Sequence, residues 1–92
     1  MATLHQLNTS DKAQLCLPLL RPGDNLLLME AAVSLLTQDH WLKELPESIE
    51  LLALEADVAA RGLSRFLGDE ITLLKDSDWV AKTLEVKSVC SW

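Results

Sequence analysis

Apolar residues in this chain fall into short continuous runs separated by stretches of helical spacing. Leu26-Leu27-Leu28-Met29, entered from the turn residues Arg21-Pro22-Gly23-Asp24, and Ile49 to Leu54 both read as strands apolar on two faces. Such strands belong in the middle of a parallel sheet covered by helices. Residues 2 to 7 predict an earlier strand, Glu70 to Leu74 a later one, and Val89 to Trp92 leave room for a fifth, short one at an edge.

Between these runs the spacing changes to that of helices. Ser10 or Asp11 is placed to cap a helix with Ala13, Cys16, Leu17 and Leu20 on one face. Pro18 has no N–H for the carbonyl of Gln14 and disfavours helical geometry at Leu17, so this helix should kink or break there. Ala31 to Leu36 predicts a second helix, and Trp41, Leu42 and Leu45 a short segment ended by Pro46. Ala56 to Arg61 is a short helix with Gly62 at a C-cap position. Asp76 or Ser77 would cap a last helix with Trp79, Val80, Thr83 and Leu84 on its buried face. Strands alternating with helices imply right-handed crossovers and an α/β fold, with a mostly parallel four- to five-stranded sheet and helices on both faces. No repeat or low-complexity stretch divides residues 1–92, which read as one domain.

Composition adds a partner to this picture. Apolar residues make up 49% of 92, and a chain of this length buries only roughly 60–65% of its unfolded surface. Part of the apolar surplus should therefore face another protein, and the isolated chain is expected to self-associate through that surface. Eight basic against fourteen acidic residues give a net charge of −6, with no Lys/Arg cluster, which argues against direct contact with nucleic acid. No run approaches the apolar length of a membrane span, and the first residues lack a basic-then-apolar leader, so secretion and membrane insertion are both disfavoured. Cys16 and Cys90 lie too far apart in sequence to suggest a disulfide framework or paired metal ligands, which fits the reducing cytoplasm. No Gly-rich phosphate loop, Ser-His-Asp set or Cys-x-x-Cys is present, so neither cofactor nor metal is expected and catalysis by this chain alone is not supported.

Several segments, in order, resemble the TusB/DsrH family of sulfur-relay subunits. Thr3-Leu4-His5 with Asn8 and Ser10 is similar to the family's opening, and Gly23-Asp24-Asn25-Leu26-Leu27-Leu28 to its Gly-Asp turn into an apolar strand. The most specific word is Asp57-Val58-Ala59-Ala60-Arg61-Gly62-Leu63. Asp78-Trp79-Val80, Thr83, Val86-Lys87 and Trp92 resemble the closing helix and final Trp. The chain departs from the family pattern at Ala31-Ala32, in a shortened stretch between Val86 and Trp92, and at Pro18. The resemblance implies a flavodoxin-like three-layer sandwich. It further implies a heterohexamer with two copies each of this subunit and of TusC/DsrF-like and TusD/DsrE-like subunits, which passes persulfide sulfur between carrier proteins. In the Tus branch that sulfur reaches 2-thiouridine at tRNA wobble positions, and in the Dsr branch it feeds sulfur oxidation. The principal sulfur-carrying cysteine lies in the TusD/DsrE-type subunit, which makes this chain an accessory, non-catalytic member.

Six residues stand out as candidate site residues. Persulfide relay needs an exposed thiolate of lowered pKa, and DsrH-type members often carry a cysteine where Cys16 stands, seven residues before Gly23. Cys16 is thus a candidate carrier, set against its reading as a small core residue beside Ala13, Leu17 and Leu20. Cys90 reads as an incidental thiol. His5 fits a structural hydrogen bond or an interface contact better than chemistry, since no second ligand stands at a useful spacing. Arg61 can reach a partner's carboxylate or its own Asp57, Gly62 supplies a left-handed cap, and Trp92 is a candidate interface anchor. Trp79 is expected in the core and His40 in solvent. An unrelated flavodoxin-like interaction or regulatory domain is the remaining alternative.

Overall fold

The computed structural model describes residues 2–92. Five strands, β1 (Thr3–Leu7), β2 (Asn25–Leu28), β3 (Glu50–Leu54), β4 (Ile71–Leu74) and β5 (Ser88–Ser91), form one sheet in the order β4-β3-β2-β1-β5. Every neighbouring pair is parallel. The parallel α/β architecture read from the apolar runs is therefore the one observed, with β5 at the edge beside β1.

Four crossovers connect the strands, and their direction decides which face each helix covers. The first three step outward from β1 to β4, so right-handed connection places them all on one side of the sheet. They contain α1 (Ala13–Cys16), a 3-10 helix over Glu30–Thr37, α2 (Asp39–Lys43) and α3 (Glu55–Ala60). The last crossover, α4 (Asp76–Glu85), returns past β1 to β5 and so lies on the opposite side. Side chains divide accordingly. Leu7, Leu26, Leu28, Leu51 and Ala53 meet Cys16, Val33, Leu36, Trp41 and Val58 in the larger core. Leu4, Leu27, Leu52, Leu54 and Leu74 form a thinner second layer with Trp79 and Val86. Leu26, Leu27 and Leu28 are all fully buried, as a strand covered on both faces requires.

Local structure meets the sequence expectation at Pro18 and departs from it elsewhere. The cap of the first helical stretch is Thr9, whose hydroxyl accepts from the Asp11 N–H (3.2 Å), not Ser10 or Asp11. At Pro18 the α-turn passes into a 3-10 turn over Leu17–Leu19, and Leu20 is extended, so the helix breaks where proline demands. The stretch predicted as a helix from Ala31 to Leu36 is a 3-10 helix, with Ala32, Val33, Leu35 and Leu36 turned inward. On α4 the buried face differs from the one expected. Trp79, Lys82, Thr83 and Val86 are partly covered, whereas Val80 and Leu84 are 60% and 82% exposed.

Gly62 fills the role assigned to it. Its φ of +65° follows α3, its N–H reaches the carbonyl of Ala59 (3.1 Å), and the Leu63 N–H reaches that of Val58 (3.0 Å). These are the two hydrogen bonds of a Schellman cap, and Leu63 packs against the main core beside it.

Candidate functional site

Strand register gathers the chemically distinctive residues at the β1–β5 side of the larger core. His5 lies opposite Cys90 across the β1–β5 pair, and Asp24 ends the Arg21–Asp24 turn just before β2. Asp24 is 5% exposed and accepts three hydrogen bonds: from the Thr3 N–H (3.1 Å), the Arg21 N–H (3.0 Å) and His5 Nε2 (3.2 Å). Burial alone would push the Asp24 carboxyl up, but these three donors and the nearby imidazole together hold it below its usual value. His5 is also buried, and its Nδ1 faces the indole Nε1 of Trp92 at 3.4 Å. Trp92 is anchored in turn by its own N–H on the carbonyl of Gln6 (2.9 Å), and it packs against the main core. Trp92, the candidate interface anchor, is thus half-buried and set beside His5.

Cys16 stands at the end of α1 with no exposure. Burial, and secondarily the nearby Cys90, push its thiol up to about 11. At that value roughly one thiol in ten thousand is ionised at neutral pH, while sulfur transfer requires the thiolate. Near the break at Pro18, Leu15 (61%) and Leu19 (52%) are exposed, while Cys16 lies inside. Cys90 is half-buried on β5.

Asp57 and Arg61 do not pair with each other. Asp57 Oδ2 accepts from the Glu30 N–H at 2.7 Å and so fixes the chain where it leaves β2. Glu30 has a φ of 51°, a conformation that costs a non-glycine residue on the order of 1 kcal/mol, and the short bond from Asp57 offsets it. Arg61 is exposed, and among the described residues no carboxylate lies within ion-pair distance of it. His40, also exposed, lies 3.8 Å from Glu44.

Two partnerships escaped the sequence reading. Asp24 was legible only as a turn residue, although an acidic side chain beside the buried strand that pairs with His5 was the available hint. Trp79 donates its indole N–H to Gln6 Oε1 at 2.6 Å, tying α4 to β1 beneath it. No group of three or more His, Cys, Asp or Glu side chains is placed to hold a metal among the described residues, and no helix there is long and apolar enough to cross a membrane.

Comparison with known proteins agrees with this architecture. A crystal structure of the ychN protein from E. coli superposes with a TM-score of 0.70 over all of both chains, and its 14% identity makes that a likeness of fold alone. Protein TusB of Escherichia coli K12 is 32% identical over 92 residues, covering 98% of this chain and 97% of that protein. The family model described as DsrH like protein matches residues 8–89. These matches remove the alternative of an unrelated flavodoxin-like domain and support a role in sulfur relay. The chain belongs to the DsrH-like family.

Proposed function

We propose that this chain is an accessory subunit of a cytoplasmic sulfurtransferase complex, assembled with TusC/DsrF-like and TusD/DsrE-like subunits into a heterohexamer that relays persulfide sulfur toward 2-thiouridine in tRNA. The chain supplies scaffold and partner-binding surface, and a sister subunit carries the sulfur. The observation that carries the division of labour is Cys16, whose thiol is sealed in the core and pushed up to about 11. A relay thiol has to meet a partner's cysteine, and this one meets only its own interior.

A second reading makes Cys16 itself a persulfide carrier, in a sulfur-oxidation relay. It draws on the position of Cys16 at the last residue of a single-turn helix, between two exposed leucines, where local opening would uncover it. One experiment separates the two. Co-expressed with TusC- and TusD-like subunits, this chain is expected to elute with both as one species. After incubation with a sulfane-sulfur donor, intact mass should place added sulfur on the TusD-like subunit and none on this chain. A gain of one sulfur atom on this chain that disappears in Cys16→Ser would overturn the scaffold reading in favour of the second.

The surface proposed for partners includes Val80 and Leu84, one turn apart on α4 and more than half exposed. In isolation the chain should self-associate through such surface. Val80→Ser with Leu84→Ser is expected to lower the weight-average mass seen by sedimentation at tens of micromolar, with the urea midpoint nearly unchanged. A wild-type chain already monomeric there would contradict this.

A further inference from the structure

Both ring nitrogens of His5 are engaged, and their partners leave one choice of tautomer. The Asp24 carboxylate only accepts, so Nε2 carries the ring proton. The Trp92 indole N–H only donates, so Nδ1 offers a bare lone pair. The two ring planes lie 19° apart with centroids 6.5 Å apart, and with the nitrogens 3.4 Å apart this is an edge-to-edge approach, the indole N–H aimed along the Nδ1 lone pair.

A proton added at Nδ1 would set two N–H donors against each other. Asp24, on the far side of the ring, would hold the imidazolium by a charge-assisted bond, so the group that must move is the indole. Trp92 follows directly on β5, a four-residue edge strand that is largely exposed and joined on one side only, to β1. We propose that protonation of His5 at Nδ1 expels the indole of Trp92 and loosens the end of β5 from β1, making the pair a proton-operated latch on the edge of the sheet.

The proton enters the Nδ1 lone pair, the N–H···N bond breaks, and the indole N–H turns to water; nothing else is exchanged. The groups facing His5 are few. Asp24 approaches from the start of β2 and stays ionised wherever imidazole titrates, because it is held below the ordinary carboxylate range. Cys90 approaches from β5 in register with His5. Cys16, on α1 over the same side of the sheet, is neutral. Arg21 gives Asp24 only its backbone N–H, its side chain lying in solvent.

The test is a pH titration of the full chain by NMR, following the His5 ring, the Trp92 indole N–H and the amides of residues 89–92. The Trp92 indole signal should move with the same midpoint as His5, and amide exchange in residues 89–92 should speed up about tenfold or more in the protonated form. The Trp79 indole, bonded to a Gln6 amide that does not titrate, should be silent at that midpoint. Trp92→Phe removes the donor facing Nδ1, and the His5 midpoint should rise by about half a unit or more. His5→Gln should abolish the transition. An indole signal indifferent to His5 protonation, or a His5 midpoint unchanged in Trp92→Phe, would overturn the latch. Trp92→Phe leaves β1 and the Asp24 bonds intact, so it decides the matter even if His5→Gln fails to fold.

Discussion

Asp24→Ala is expected to destabilise the fold by on the order of 3–4 kcal/mol, because it strands three donors in a largely buried site. Those donors are the N–H groups of Thr3 and Arg21 and Nε2 of His5. The same residue's backbone carbonyl accepts from the Glu50 N–H at 3.0 Å, and that bond survives the substitution. The loss therefore isolates the side chain. Set against the roughly 5–14 kcal/mol available to a domain of this size, it should lower the urea midpoint by roughly a fifth to four fifths; a change below about 1 kcal/mol would show that water substitutes freely for the carboxylate. The pH dependence follows from the sign of the shift. A carboxyl held below its unfolded value contributes its full stability above that value and loses it as pH falls through the folded one. The wild-type chain should thus weaken progressively below about pH 4, and Asp24→Ala should flatten that limb.

Leu27→Ala should cost about 2–5 kcal/mol, comparable to the loss of Asp24 but by a different route. Leu27 lies at the centre of the thinner core layer, fully buried with Leu4, Leu52, Leu54 and Leu74. That layer is roofed by α4, which has no fully buried residue of its own. A hole beneath it can close only by moving the whole helix, and α4 is pinned by the Trp79–Gln6 bond and by the Lys82–Glu50 ion pair at 2.9 Å. Collapse should be incomplete, which places the cost toward the upper part of the range. Leu27→Met, which conserves volume, should cost less than about 1.5 kcal/mol. Equal midpoints for the two variants in urea would contradict the rigid roof.

Strands β2 and β3 were legible because each is a continuous apolar run entered from turn residues, and a parallel sheet covered on both faces writes that pattern directly into sequence. Pro18 and Gly62 were legible for the same reason, since each acts through its own backbone. Helix α4 was harder. Trp79, Val80, Thr83, Leu84 and Val86 offer two overlapping stripes, and the choice between them is made by the sheet: Trp79 and Val86 pack on its second core layer and Thr83 is partly covered, leaving Val80 and Leu84 outside. The cap was missed because Thr9, Ser10 and Asp11 compete at adjacent positions, and only backbone geometry at Thr9, with φ −142° and ψ 145°, selects among them. The His5–Asp24–Trp92 cluster has no local signature at all. Its bonds join residues 19 and 87 positions apart, and the longer-range one exists only once β5 has paired with β1.

The placement of β5 also governs the order in which this chain can be completed during synthesis. β1 is made before the other four strands, and β2 can cover one of its edges long before β5 is made. Its other edge must wait for residues 88–91, since no earlier segment pairs there. Until then a nascent chain carries an open row of backbone donors and acceptors beside Leu4 and Leu7, the kind of edge on which unfinished chains pair with one another. How long that edge stays open is therefore set by the topology: it lasts until β5 has been made and has paired with β1.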